Sequence, residues 1–419
     1  MSTTGPRELR RTGGAALALC VACGAWIAAA ACASFSGDAG SAVPAESGSE
    51  ASSDAATGLE AGTDASIACD LTQVGSDPNH CGKCGHSCLG GACVGGQCAP
   101  AVLASMTAVE VLGPVLDATR AVVVVPDLNG GAHVGWCAKS GCTTPLPGVD
   151  FTTSPASDRA LASDGTNAYV GTAGGINGAI YRIGQNGKAT AIVPPGATAD
   201  MPDNFTILGP DLLFLAAYQT AGNGMYRVPI DGQQAATLVV PIQPGDRWVY
   251  TAATTGTLYV SDFQSIARCV GSICAALQPW TVAPASRPDI TGLVTDGASI
   301  FWTSDFEAVL SCTVGSTCVG GEGPAMLVGP AAMDNGKPLR LSIHGAELYV
   351  TTDAGNIYTC TAAACGTTFH RIIATDQVVV GAAVADDAAV YWVARDRSPP
   401  PDPDAGPIAV PHRLMRLAR

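Results

Sequence analysis

Residues 296–318 read DGASIFWTSDFEAVLSCTVGSTC. The segment opens on an Asp-Gly turn, continues as an apolar strand over 300–302, turns again, and ends in a strand bracketed by Cys312 and Cys318. Short apolar runs separated by turn residues indicate antiparallel β-strands. The same layout recurs along the last three quarters of the chain, which identifies it as the unit of a repeat.

The repeat has a nearly constant length. The centre of the apolar strand in each unit falls at Val124, Tyr169, Phe214, Tyr259, Phe301, Tyr349 and Tyr391, with gaps of 45, 45, 45, 42, 48 and 42 residues. A period in the forties with several short strands per unit is typical of β-propeller blades. The 50 Gly and 28 Pro residues interrupt every unit, which argues against a helical repeat.

The two ends of the repeat region complement each other. The final unit stops at its third strand, HRLMRLAR (412–419), whereas the first unit is preceded by a spare strand at 101–105. A spare strand that completes the last blade leaves no unpaired strand edge where the ring closes. The sequence therefore predicts an all-β fold, a seven-bladed β-propeller over residues 101–419 with its N-terminal strand closing the last blade.

Four of the units contain a tight hairpin with two cysteines. In two cysteine-free units the same gap holds Asn186-Gly187 and Asp231-Gly232, which are strong hairpin signals. We therefore predict four disulfides, each across one hairpin. They join Cys137 to Cys142, Cys269 to Cys274, Cys312 to Cys318 and Cys360 to Cys365. The alternative, four two-cysteine metal sites, lacks further ligands near each pair.

Residues 1–31 have the features of a signal peptide. Arg7, Arg10 and Arg11 precede an uncharged apolar run over 13–31. The run ends in Ala29-Ala30-Ala31 followed by Cys32, which resembles a bacterial lipobox, so we predict that Cys32 carries a lipid. Ordinary cleavage before Cys32 and an uncleaved anchor are the alternatives.

Residues 32–68 are predicted to be a disordered tether. Beyond Cys32 the stretch consists mainly of small, hydroxyl and acidic residues, and it contains no Lys or Arg. An export signal followed by a chain with 17 cysteines in all indicates an oxidising compartment. We therefore predict an exported protein of the cell envelope, an outer-membrane or cell-surface lipoprotein attached through its N-terminal lipid.

Residues 69–100 are predicted to form a small disulfide-rich module. Its six cysteines are Cys69, Cys81, Cys84, Cys88, Cys93 and Cys98. Such a segment has too little apolar surface to fold without cross-links, so we predict three disulfides, with the pairing left open. A zinc site built from Cys81, Cys84, His80 and His86 is the alternative.

The string DPNHCGKCGHSC (77–88) resembles the cysteine-rich module of the stigma-specific protein family, which also recurs in exported proteins of myxobacteria. The blades resemble those of propeller lipoproteins from such bacteria, in which a Tyr-Trp-Thr strand leads to a cysteine hairpin. Here FWT (301–303) and YWV (391–393) stand for that strand. The two resemblances imply export, disulfides and the propeller architecture, and they imply no catalytic residue.

Charge and motifs exclude several functions. The net charge is −14 with only 21 Lys and Arg residues, which disfavours binding of nucleic acid by a basic face. No nucleophile elbow, phosphate-binding loop, dinucleotide fingerprint or His-Glu-x-x-His motif occurs. A non-enzymatic role is therefore the favoured hypothesis, and we expect no catalytic residue and no cofactor.

Three acidic residues end the apolar strand in successive units, namely Asp262, Asp305 and Asp353. Equivalent positions in a ring project onto one face, so these carboxylates are candidates for a ligand or calcium site. The alternative is that each carboxylate accepts hydrogen bonds from its own turn, which is the common role of Asp at a strand end.

A second candidate set lies where the innermost strands begin. It consists of Arg159, Asp203, Arg247, Asp289 and Arg340. If these residues surround the central tunnel, they form a polar mouth of mixed sign, and solvated strand ends are the alternative.

The sequence thus favours a binding module for a protein or glycan ligand. A metal-dependent hydrolase or lyase that uses the Asp set, and a purely structural envelope protein, are the alternatives.

Overall fold

The computed structural model describes residues 70, 72–127, 129–153, 160–172, 178–198, 202–218, 222–242, 249–262, 264–271, 277–282, 290–304, 308–316, 318, 325–334, 336–397 and 408–419. The signal peptide, Cys32 and the tether lie outside these residues, as do Cys69 and Cys274.

The cysteine-rich module contains two short strands, β1 (Cys93–Val94) and β2 (Gln97–Cys98), which pair with each other. The strand β3 (Ala101–Ala108) follows directly. Blade 1 consists of β4 (Leu112–Leu116), β5 (Arg120–Pro126), β6 (Ala132–Ala138) and β7 (Gly148–Phe151). Blade 2 consists of β8 (Leu161–Ser163), β9 (Ala168–Thr172), β10 (Gly178–Ile183) and β11 (Ala189–Thr198). Blade 3 consists of β12 (Asp203–Leu208), β13 (Asp211–Tyr218), β14 (Gly222–Pro229) and β15 (Thr237–Pro241).

The other four blades repeat this arrangement. Blade 4 consists of β16 (Tyr250–Thr254), β17 (Thr257–Ser261), β18 (Ser265–Val270) and β19 (Gln278–Val282). Blade 5 consists of β20 (Ile290–Thr295), β21 (Ser299–Ser304), β22 (Ala308–Thr313) and β23 (Ala325–Val328). Blade 6 consists of β24 (Pro338–His344), β25 (Glu347–Thr352), β26 (Ile357–Thr361) and β27 (His370–Ile373), with the one-turn helix α1 (Cys365–Thr368) between its last two strands. Blade 7 consists of β28 (Val378–Ala385), β29 (Ala389–Arg395) and β30 (Val410–Ala418), and its fourth strand is β3.

Apolar residues on both faces of the second strands explain how the blades pack. In β5, Val122 and Val124 pack against blade 2, whereas Val123 packs against blade 7, and all three are fully buried. The large hydrophobic clusters follow this rule, because each of the seven combines residues of two neighbouring blades. The core of the propeller is therefore a set of seven layers between sheets, which is why its strands do not alternate between apolar and polar residues.

The ring closes as the sequence predicts. The strand β3 pairs antiparallel with β30, with Val102 opposite Met415 and Ala108 opposite Val410. The innermost strands contact one another in the circular order β4, β8, β12, β16, β20, β24, β28 and back to β4. These contacts confirm the prediction of a seven-bladed propeller whose N-terminal strand completes the last blade.

The ring has two unlike faces. The face that we call the hairpin face carries the turns between first and second strands, such as 117–119, and the hairpins between third and fourth strands, such as 138–141. The opposite face, the loop face, carries the connections between second and third strands, such as 127–131, and the links to the next blade, such as 374–377.

Disulfides lie on the hairpin face. The structure joins Cys137 to Cys142, Cys312 to Cys318 and Cys360 to Cys365, which are three of the four hairpin bonds that the spacing predicts. Cys269 is disulfide bonded as well. In the cysteine-rich module the bonds are Cys81–Cys93 and Cys88–Cys98, and Cys84 is also disulfide bonded. This bonding contradicts the zinc alternative, since it leaves neither Cys81 nor Cys84 as a thiolate ligand.

The cysteine-rich module packs on the hairpin face at the junction of blade 7 and blade 1. Leu89 of the module contacts the hydrophobic cluster between these blades. The Arg416 guanidinium of β30 donates to the carbonyl oxygens of both Leu89 and Lys139. His86 Nε2 lies 2.9 Å from the carbonyl oxygen of Arg419. The module and the propeller accordingly belong to one compact unit, Ala65–Arg419.

Within the part of the chain that the structure describes, no helix is long and apolar enough to cross a membrane.

Candidate functional site

A central channel runs between the innermost strands. It encloses about 560 Å³ and is lined by residues of the first strand of all seven blades. The lining residues are aliphatic, aromatic or hydroxyl-bearing, or are Gly and Pro, and none of them carries a charge. The volume lies within the range of about 300–1,000 Å³ that is usual for ligand pockets. The channel therefore suits an uncharged ligand or an uncharged segment of a larger one.

Hydroxyl groups connect neighbouring first strands around the channel. Thr251 Oγ1 donates to the carbonyl oxygen of Asn204 at 3.2 Å and also contacts the hydroxyl of Thr206. The hydroxyl of Ser342 donates to the carbonyl oxygen of Ala383 in the next blade. These hydrogen bonds join first strands that share no backbone ladder, so the channel wall is fixed by side chains.

Of the predicted mouth residues, the structure describes Asp203 and Arg340. The Arg340 guanidinium donates to the carbonyl oxygen of Thr291 at 3.1 Å and to the Tyr250 hydroxyl at 3.3 Å. It also lies 5.7 Å from the centre of the Tyr250 ring. Arg340 therefore joins blades 4, 5 and 6 at the loop-face end of their first strands, which is a structural role. Asp203 begins β12 and pairs with Leu215.

The remaining mouth residues, Arg159, Arg247 and Asp289, lie outside the described residues.

Asp262 and Asp353 both lie on the loop face, and their carboxylates accept hydrogen bonds from the backbone. Asp262 Oδ1 accepts from the amides of Gln264 at 3.0 Å and Ser265 at 2.6 Å. Asp353 Oδ1 accepts from the amide of Lys337 at 2.8 Å. The Asp262 bonds match the turn-capping alternative, whereas Asp353 accepts from the link that precedes blade 6 and not from its own turn. Asp305 lies outside the described residues.

The structure adds two residues to this Asp set. Asp127 and Asp396 also follow directly on a second strand, β5 and β29. Asp127 caps its turn through the amides of Asn129 and Gly131, whereas Asp396 accepts two hydrogen bonds from the Arg413 guanidinium. In the sequence, too, both residues directly follow an apolar strand. However, Asp127 follows a proline and Asp396 follows an arginine, so neither matches the Ser-Asp or Thr-Asp pattern of the other units.

Sequence reasoning also missed a set of arginines that fasten neighbouring blades. Arg182, Arg268 and Arg416 occupy equivalent positions near the end of a third strand. Each donates to a carbonyl oxygen in the hairpin of the next blade, at Ile230, Ser316 and Lys139 respectively. In blade 1 the contact with the next blade comes instead from Arg120, which is buried and paired with Asp117. Its guanidinium donates to the carbonyl oxygens of Gly184 and Gln185 in blade 2. Aligning the third strands at Ile183, Cys269 and Leu417 would have revealed the set, because an arginine precedes each of these residues.

Buried tyrosines do not supply a nucleophile. The hydroxyls of Tyr169 and Tyr349 donate to Asp164 Oδ2 and Glu347 Oε2, both at 2.6 Å. Burial, and then these hydrogen bonds, raise the pKa of both phenols well above the ordinary value. Burial likewise raises the pKa of Tyr391 to about 12. These phenols therefore stay protonated over the physiological range.

One histidine is buried in blade 7. His412 is 1% exposed, its Nδ1 lies 3.0 Å from the carbonyl oxygen of Val410, and its Nε2 has no hydrogen-bond partner among the residues described. Burial lowers the pKa of His412, and the positive charge of Arg395 lowers it further. The imidazole is therefore neutral at pH 7.

Three or more metal-ligating side chains come close together at one place in the described chain, Cys81, Cys88 and Cys98. All three sulfurs are in disulfides, so this cluster is not a metal site. The calcium site proposed for the Asp set remains a prediction.

No family model matches the chain, and no curated protein matches it. Among solved structures, it is similar to YCF48 bound to D1 peptide (10% identity, 77% of this chain and 96% of the other, TM-score 0.49). It is also similar to YCF48 from Cyanidioschyzon merolae (11%, 76% and 98%, TM-score 0.49). A third similar structure is the Neurospora crassa Pan2 WD40 domain (11%, 76% and 95%, TM-score 0.48). These similarities carry no information about a ligand.

Proposed function

We propose that this protein is an exported, lipid-anchored propeller of the cell surface that binds a protein ligand on its loop face, with an uncharged segment of the ligand entering the central channel. The observation that carries the proposal is the channel itself, a cavity of about 560 Å³ walled by all seven blades and without a charged lining residue. Such a wall recognises shape and hydrogen bonds, and none of its lining side chains is a carboxylate, histidine or lysine that could act as a general acid or base.

The position of the cysteine-rich module supports the loop face as the binding face. The module covers part of the hairpin face through Leu89 and through Arg416. The loop face is the opposite face of the ring, so the module does not cover it.

A channel-filling variant tests the proposal. The Ala382→Trp substitution places an indole among the channel-lining residues, whereas Val270→Trp places it on the hairpin face, where Val270 is 60% exposed. Each protein, with Cys32→Ser to keep it soluble, is immobilised and incubated with envelope extracts. We expect a protein ligand that the parent and Val270→Trp retain and that Ala382→Trp loses.

Retention of the same proteins by the parent and by both variants, or no retention above a blank surface, would contradict the proposal. Thermal unfolding of each variant checks that the ring is intact.

The lipid anchor has a test of its own. Replacing Cys32 by Ser removes the sulfur that would carry the lipid, so the variant should move from the membrane fraction to the soluble fraction of the producing cells. Retention of Cys32→Ser in the membrane fraction would refute the anchor and leave the binding proposal unaffected.

A further inference from the structure

A second cavity opens on the loop face between blade 7 and blade 1. We call it the seam pocket. It encloses about 430 Å³ and is formed by residues of β5, β6 and β7 on one side and by residues 107–109 and Ala409 on the other. This volume also lies within the usual range for ligand pockets, about 300–1,000 Å³.

The walls of the seam pocket are mainly apolar. Val109, Val125 and Pro126 are among the lining residues, and Val125 packs in the hydrophobic cluster between blades 7 and 1. Phe151 also lines the pocket, but its ring packs against Tyr181 on the blade 2 side of the sheet, with the ring centres 4.8 Å apart. The apolar surface that the pocket offers to a ligand is therefore mainly aliphatic, which suits a methylene chain.

The charged groups of the seam pocket are acidic. Asp127 uses Oδ1 to accept from the amides of Asn129 and Gly131, which leaves Oδ2 for a ligand. The Asp150 side chain is 88% exposed, and no Lys or Arg is among the residues that line the pocket. An apolar cavity with carboxylates at its opening is complementary to a cation on an apolar stem.

Gly148 allows His133 to fix the Asp150 carboxylate. His133 Nδ1 lies 2.8 Å from Asp150 Oδ1 across the β6–β7 ladder. A Cβ atom at Gly148 would lie 2.4 Å from His133 Nε2, so any other residue there would displace the ring. The carboxylate is therefore oriented before a ligand arrives, which reduces the entropy lost on binding.

We propose that the seam pocket binds an arginine side chain of the protein ligand. This inference rests on the proposed function, because it names one residue that the loop face recognises. The methylene stem of the arginine lies against the apolar walls, and its guanidinium pairs with Asp127 and Asp150. Arginine fits better than lysine because its guanidinium binds a carboxylate through two parallel hydrogen bonds and can bridge two carboxylates. The net charge of −14 also attracts basic ligands.

The test uses defined peptides and fluorescence anisotropy on the full chain carrying Cys32→Ser. The probe is a labelled, capped Gly-Leu-Arg-Leu-Gly peptide, and the matched probe has citrulline in place of arginine, which keeps the shape and removes the charge. We expect saturable binding of the arginine peptide below about 1 mM and about tenfold weaker binding of the citrulline peptide, as for loss of one charge-assisted contact.

Matched variants locate the site. Asp127→Asn combined with Asp150→Asn removes both charges but keeps the turn-capping oxygen of residue 127, and we expect it to weaken the arginine peptide about tenfold. Asp262→Asn is the control, because Asp262 caps an equivalent loop-face turn in blade 4 and is absent from the pocket lining. It should leave the affinity unchanged within about twofold.

Equal binding of the arginine and citrulline peptides, equal loss with Asp262→Asn, or no saturable binding at all would overturn the inference. The proposed function has its own readout in Ala382→Trp, so either can fail while the other stands.

Discussion

The two faces of this propeller are built from the same strands but make different contacts. On the hairpin face, Asp117, Asp164, Asp296 and Asp386 each accept two turn amides. The same face carries the hairpin disulfides, the contacts of Arg182, Arg268 and Arg416 with the next blade, and the cysteine-rich module. The loop face has a turn-capping Asp262 and the Arg340 contacts among blades 4, 5 and 6 too, but it also has the seam pocket. The difference indicates that the hairpin face carries more of the fastening and that the loop face has room for a ligand.

The junction of blades 7 and 1 shows this division within one pair of blades. On the hairpin face, Lys139 Nζ pairs with Asp386 at 2.8 Å, and Arg416 joins both blades to the module. On the loop face, the same junction opens into a cavity of about 430 Å³. A ring closed by a noncovalent strand pair needs strong fastening at its junction, and here the fastening is concentrated on one side.

The largest expected effect is the loss of a buried ion pair on the hairpin face. Asp117→Ala leaves Arg120 charged and buried, with the Arg120 side chain only 6% exposed. Breaking such a pair costs about 3–5 kcal/mol of unfolding free energy. Denaturant unfolding measures the change. Arg371→Ala is the control, since its pair with Asp334 is exposed and should contribute less than about 1 kcal/mol. Equal losses in both variants would show that the hairpin face does not fasten the ring.

The next effect concerns the disulfides. Replacing Cys88 and Cys98 by Ser opens a loop with a sequence separation of 10 residues, and replacing Cys137 and Cys142 opens one of 5. We expect losses of about 3 and about 2 kcal/mol respectively, because longer loops gain more entropy when unfolded. Urea unfolding under non-reducing conditions gives both values. No loss from the Cys88 and Cys98 replacement would mean that the module adds nothing to the ring.

A pH-dependent effect is expected at blade 7. Because burial lowers the pKa of His412 in the folded protein, the unfolded chain binds a proton more readily than the folded one. Stability is therefore fully present above the unfolded value of about 6.5 and is lost as the pH falls from there toward the lowered folded pKa. His412→Leu should remove part of this dependence, as measured by thermal unfolding between about pH 7 and pH 5. An unchanged pH dependence would contradict the neutral, buried state of His412.

The smallest effect concerns a loop-face turn. Asp262→Ala removes the acceptor of two backbone amides and should cost about 1 kcal/mol, whereas Asp262→Asn keeps an acceptor oxygen and should cost less than about 0.5 kcal/mol. Thermal unfolding with and without calcium reads out both variants. If calcium stabilises the parent protein but not Asp262→Asn, the result would support the calcium-site alternative.

Sequence predicted the fold because each blade repeats its own local signals. Phe301, Tyr349 and Tyr391 recur at a nearly constant spacing, and the hairpin cysteines face each other across a short turn, so neither inference needs contacts between blades. The arginine contacts of Arg268 and Arg416 were missed because the acceptor carbonyl belongs to the next blade. The seam pocket was missed for the same reason, since Ala108 and Val125 meet only after the ring has closed.

Hydrogen exchange with and without the arginine peptide tests the division between the faces most directly. The account predicts slower exchange at backbone amides of 129–134 and 148–151 on the loop face, and no change at 86–91 or 138–142 on the hairpin face. Slower exchange on the hairpin face, or equal slowing on both faces, would contradict it.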